Sequence, residues 1–166
     1  MTDPTAIPSF PPPPDEHPLR GRVLDALTDA GLAPNLDSEG DVSVQVERQR
    51  FFVRCADGQL PVMRVFGQWK IGSSVPTDEL RRLQAANVLS ARLNLVKISV
   101  HGDVLLVSVD QVVPDGAPLR ALLTVSFSAV LSAVRAWHVE AGGTVDESGS
   151  AAAGGNPNSD DDRPDA

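Results

Sequence analysis

The sequence predicts an α+β fold in the order α-β-β-β-α-β-β-α, its five strands forming an antiparallel sheet. Three observations carry this. Residues 77–110, TDELRRLQAANVLSARLNLVKISVHGDVLLVSVD, change from a helical to an alternating period after Leu93-Asn94. Two turn signals, Asp57-Gly58 and His101-Gly102-Asp103, lie between apolar runs and predict tight hairpins. A continuous apolar stripe from Leu119 to Trp137 then closes the chain as a helix.

The 166 residues admit one domain of ordinary size, with 42% hydrophobic residues to fill its core. Residues 1–17 hold Pro8 and the run Pro11 to Pro14. Proline fixes φ and removes donors, so this is an extended arm, either a leader or a ligand for a proline-recognising partner. Residues 18–141 form the predicted domain. Residues 142–166, rich in Gly, Ala, Ser and Asp, bury too little to fold and are expected to be a disordered acidic tail.

Within the domain, Leu19, Val23, Leu27 and Ala30 recur at helical spacing, and Gly31 follows as a C-terminal cap. Val42, Val44 and Val46 alternate with polar neighbours as a half-buried strand, and a short turn at Gln49 leads into the apolar run 51–55. Residues 60–66 make the third strand, with Pro61 near its start where a missing donor is tolerated. GQWKIGSSVP then reads as a connecting loop carrying Trp69 and Ile71. Large apolar groups on a loop either lid the core or make a contact surface, so Trp69 and Ile71, with Met63 on the preceding strand, are candidate peptide or partner contacts. Trp69 is expected to be partly accessible and Trp137 shielded.

Thr77 offers an N-cap hydroxyl to the central helix, with Asp78 and Glu79 at the positive end of its dipole. Leu80, Leu83, Ala86, Asn87, Ser90 and Leu93 share one arc, which predicts the core face. Val88 and Leu89 fall outside that arc, which implies a second dry neighbour. Val96, Ile98 and Val100 alternate on the next strand, Gly102 turns, and Leu105, Val107 and Val109 pair back. Asp115-Gly116 and Pro118 precede the last helix.

The formal charge of −8 is uneven: acids and bases balance between Leu19 and Glu140, and the excess acid lies at the ends. Nothing clusters Lys and Arg as phosphate backbones require, so no nucleic-acid partner is expected. The single Cys55 makes no internal disulfide, no basic patch precedes an apolar leader, and no run approaches bilayer length. The expectation is a soluble cytoplasmic protein without a membrane partner. Chemistry finds no support either. His17, His101 and His138 are not spaced for a metal, no glycine-rich loop precedes a Lys-Ser/Thr pair, and Cys55 reads as a small buried hydrophobe. No cofactor and no catalytic or metal-ligating residue is expected.

The element order, the central helix with Asn87, the step through Lys97 into VHGDVLLVSVD, and Gly116 ahead of the helix at Leu119 together resemble the YbjN-like family, as a member of actinobacterial type. That family is in turn similar to the class I type III secretion chaperones. The likeness covers residues 19–140, and departs where aromatic residues after the central asparagine are replaced by Ser90, Ala91 and Leu93. It implies a twisted five-stranded sheet packed with helices, a homodimer, and a role in holding peptides without chemistry. The related chaperones pair through the central helix and the strand after it, which implies an interface of Val88, Leu89, Arg92, Leu95 and Lys97. Two functions follow: a peptide-binding chaperone or adaptor, and a regulatory dimer, sensory or transcription-associated, meeting a folded partner. A small-molecule carrier using space under Trp69 is a third.

Overall fold

A computed structural model describes residues 18–142; the expectations for the proline-rich arm and the acidic tail lie outside the described residues. The chain runs α1 (Leu19–Asp29), β1 (Asn35–Leu36), β2 (Val42–Val46), β3 (Gln49–Ala56), β4 (Val62–Lys70), α2 (Glu79–Arg92), β5 (Val96–His101), β6 (Val104–Val112) and α3 (Leu119–Glu140). The strands form one antiparallel sheet in the order β1-β2-β3-β4-β6-β5. The sheet has six strands, not the expected five. The extra strand, β1, is too short to show a period. It exists because the Asp37 carboxylate accepts from the N–H groups of Glu39 and Asp41, both at 2.9 Å, and folds the chain back onto β2.

Alternation divides the sheet into two faces. One cross-strand row is valine throughout, Val42, Val53, Val65, Val109 and Val96, and every member is buried. All three helices pack on this side. The neighbouring row of the opposite face is Ser43, Phe52, Phe66, Ser108 and Lys97. Among the described residues no element covers it.

The first helix ends where the sequence predicts, for the predicted reason. After α1, Gly31 takes φ +79°, its N–H donates to the Thr28 carbonyl, and Leu32 N–H donates to the Leu27 carbonyl. This is a Schellman closure with Leu32 and Leu27 as its apolar pair. Gly142, at φ +81°, follows α3, and its N–H donates to the Val139 carbonyl at 3.0 Å. Trp137 is fully buried on α3, and its Nε1 donates to the Arg82 carbonyl of α2 at 3.2 Å, tying the two helices together.

The turns differ in kind from one another. Gly102 takes φ +56° in a two-residue connection between His101 and Val104, as expected. The Asp57-Gly58 signal is not a tight hairpin: β3 and β4 close at Ala56 and Val62 over a five-residue loop, and Gly58 does not adopt positive φ. Asp57 instead accepts from the first N–H of α1, Leu19, at 3.0 Å. The second tight hairpin joins β2 to β3 through Glu47 and Arg48, both at positive φ without being glycine.

At 22 residues, α3 is long and apolar enough to cross a membrane by length and composition alone, contrary to the expectation from the sequence. One side of it, including Leu123, Phe127, Val130, Val134 and Trp137, is buried in the domain. That burial is also what a core helix requires.

Candidate peptide-binding and partner surfaces

The three candidate peptide contacts are interior, so of the two alternatives for Trp69 and Ile71 the core role holds and the contact role does not. Met63 is fully buried, and Trp69 and Ile71 are 5% and 6% exposed. The predicted loop at 67–70 is the continuation of β4, paired with β6 through Lys70 and Val104. Trp69 therefore points to the helix side. Its indole lies over Gly67, where any Cβ would collide with the ring, and meets Phe51 edge-on at 6.1 Å. Its Nε1 donates to the Gln49 side-chain carbonyl at 2.8 Å. The space a carrier would use beneath Trp69 is filled by this packing.

The central helix is also rotated from its expected setting. Asp78, not Thr77, is the N-cap and accepts from Arg81 N–H. The buried residues of α2 are Arg82, Ala85, Ala86 and Leu89, whereas Leu80 and Leu83, expected in the core, are exposed. Leu89, assigned from the sequence to an interface, belongs to the core of the chain itself. Arg82 is the residue that sequence reasoning missed. Its Nε donates to the Pro76 carbonyl at 2.8 Å and its guanidinium meets Asp103 in the β5–β6 turn at 3.4 Å. A buried guanidinium needs such partners, and only the folded chain brings them to it.

The other proposed interface residues do face outward. Val88, Arg92, Leu95 and Lys97 are exposed, and Leu95 is 69% exposed at φ +64°. A leucine in the left-handed region is strained, so an exposed one immediately ahead of β5 marks a built feature. With Leu80, Leu83 and Val88 on the outer side of α2, and with β5 at the sheet edge, it leaves an apolar surface uncovered within the chain.

A second apolar surface lies between α1 and α3. A furrow of about 300 Å³ has Leu27, Leu123 and Phe127 as its floor, with Ala26, Leu32 and Val46 along its sides and Glu47 and Arg120 beside them. It shares Ala26, Arg120 and Thr124 with a broader, more open depression of about 730 Å³ that reaches Pro118, Ala121 and Val125. Val125 is 63% exposed. Nothing in the sequence announced this furrow, because both helices read as simple core stripes.

Reactive groups contribute little to either surface. Burial, aided by nearby Asp57, pushes the Cys55 thiol up to about 11, far from the thiolate a nucleophile needs. Among the described residues, no group of three or more His, Cys, Asp or Glu side chains is placed to hold a metal. Asp110 accepts from Arg64 at 2.7 and 2.9 Å and from Lys97 at 2.5 Å. The Arg64 hydrogen bonds, with help from Lys97, hold its carboxyl down to about 2.

The geometry agrees with what the chain is similar to. No curated protein matches the sequence. Among solved structures, YbjN from E. coli, described as a proposed transcription regulator, aligns at TM-score 0.53 and 13% identity over 69% of this chain and 87% of that one. At that identity the likeness establishes the fold alone. The family model described as T3SS (YopN, CesT) and YbjN peptide-binding chaperone 1, TY-Chap1, matches residues 17–136. That span runs from the start of α1 through most of α3, and the chain belongs to this family of peptide-binding chaperone domains.

Proposed function

We propose that this chain is a non-enzymatic module that holds an apolar segment of another protein in the α1–α3 furrow, and that it acts as a homodimer through α2 and β5. The observation that carries the peptide site is the furrow itself, an open apolar channel whose floor is side chains already fixed by the core. A preformed floor spares the ordering cost that a mobile surface would add on binding. An amphipathic helix or an extended apolar segment fits such a groove. Ala26 lies on both halves of the furrow, so Ala26→Asp should abolish capture of client segments while leaving the fold intact. Affinity capture from lysate followed by limited proteolysis checks this. Short protected segments released by the variant support peptide holding, whereas intact folded partners unaffected by it support the regulatory reading.

The dimer reading rests on Leu80, Leu83, Val88 and Leu95, which a monomer leaves wet at a cost of about 25 cal/mol for each Å² it could bury. A two-fold axis would cover them on both copies at once. Leu83→Asp/Val88→Asp should yield a folded monomer by light scattering; an unchanged dimer would remove this surface from consideration. Leu89 is unsuitable for such a test, because a charge there enters the core.

A further inference from the structure

The uncovered sheet face has a composition of its own. Arg50 and Arg54 on β3, Arg64 and Lys70 on β4, and Lys97 on β5 point to this side, against the two carboxylates Asp41 and Asp110. Phe52 and Phe66 stack in its middle with centroids 5.3 Å apart and planes at 23°, and the Arg54 guanidinium lies 5.7 Å above the Phe66 ring. Three of the cations are held in place. Asp41 takes Arg54 through both carboxylate oxygens at 2.6 to 3.1 Å, and Asp110 takes Arg64 and Lys97 together. Arg50 and Lys70 have no carboxylate partner among the described residues.

We infer that this face is a second docking surface, and that its occupant is an acidic segment of another protein with apolar side chains between its carboxylates. Charge complementarity selects the carboxylates: Asp41, with Glu39 and Asp37 nearby, answers Arg54, and Asp110 answers Arg64 and Lys97, which leaves the exposed Arg50 and Lys70 to meet incoming carboxylates. Guanidinium forks match carboxylates in two-point contacts, and the stacked phenylalanines provide an apolar strip between them. A nucleic-acid strand fits less well, since it brings a phosphate at every step, whereas an acidic segment can match two carboxylates to Arg50 and Lys70 and lay apolar side chains on Phe52 and Phe66. The surface lies across the sheet from the α1–α3 furrow, so it stands or falls independently of the peptide site there.

Fluorescence anisotropy on the full chain tests this with three labelled probes: a short peptide alternating glutamate with leucine and valine, its lysine counterpart, and a short oligothymidylate. The glutamate peptide should bind best and weaken as salt rises. Arg50→Glu/Lys70→Glu should raise its dissociation constant about tenfold or more, and Arg50→Lys/Lys70→Arg should keep it near the original value. Both residues are exposed, so the melting temperature should not move; if the reversal does perturb folding, Arg50→Gln/Lys70→Gln gives the same reading. Equal binding of the lysine peptide, or indifference to both the reversal and the neutral variant, overturns the inference. Preferred binding of oligothymidylate overturns the choice of partner. Tighter peptide binding by the Asp160→Asn/Asp161→Asn/Asp162→Asn chain assigns the face to the protein's own acidic end, and overturns the external occupant.

Discussion

The two faces of the sheet are built from the same strands and obey different rules. On the helix side, five valines from five strands lie in one buried row, and what they share is the absence of any polar group to satisfy. On the open side the strands mix hydroxyl, aromatic and charged side chains, and order comes from pairs: Arg54 with Asp41, Arg64 and Lys97 with Asp110, Phe52 with Phe66. The covered face is held by area removed from water, the open face by specific contacts that water competes for. Truncations within the sheet should therefore cost more stability on the helix side than on the open side.

The largest test of that division is truncation. Trp137→Ala removes a fully buried indole and its hydrogen bond to the Arg82 carbonyl, and should cost about 3–5 kcal/mol. Phe52→Ala, on the open face, should cost roughly 1 kcal/mol, the range of a cross-strand aromatic pair. Equal losses in urea unfolding would break the comparison.

A smaller effect separates two neighbours on β4. Gly67 is buried beneath the Trp69 ring, so Gly67→Val must displace the indole and should destabilise by about 1–3 kcal/mol, as overpacked cores do. Gln68→Ala, one residue along and facing the open side, should stay within about 0.5 kcal/mol of the parent. Trp69 fluorescence should shift only in the first variant.

The smallest effect is electrostatic. Asp110 has its folded pKa lowered to about 2 by Arg64 and then Lys97, below the value of about 4 expected in an unfolded chain. A depressed acid contributes stability that is present above the unfolded value and lost as pH falls through the folded one. Melting followed between about pH 4 and 2 should show this loss in the parent, and Asp110→Asn should flatten it. An unchanged slope would assign the acid sensitivity to other carboxylates.

Much of the fold could be read before the chain was seen folded, because the relevant physics is local. The period change after Leu93, the glycines closing α1 and α3, and the Gly102 turn each act within a few residues. The candidate surfaces were less legible. GQWKIGSSVP reads as a connecting loop from its sequence, yet its first four residues continue β4, and Gly67 makes room there for the Trp69 indole. The furrow depends on the spacing between two helices about a hundred residues apart in sequence, which no stretch of either one encodes.

By itself, then, the sequence determined the order of the three helices and the longer strands, the glycine end of α1 and the inward side of the alternating strands, since these follow from period and from glycine's freedom at positive φ. Only tertiary structure decided how α2 is rotated. Two of its arcs are comparably apolar, Leu80 and Leu83 on one and Ala85, Ala86 and Leu89 on the other. The choice turns on Arg82, whose guanidinium can be buried because the Pro76 carbonyl and the Asp103 carboxylate converge on it. Those acceptors come from a loop and a hairpin that no reading of the helix contains. With Arg82 turned inward, Leu80, Leu83 and Val88 remain on the outside, and the surface proposed for a second copy follows from that rotation.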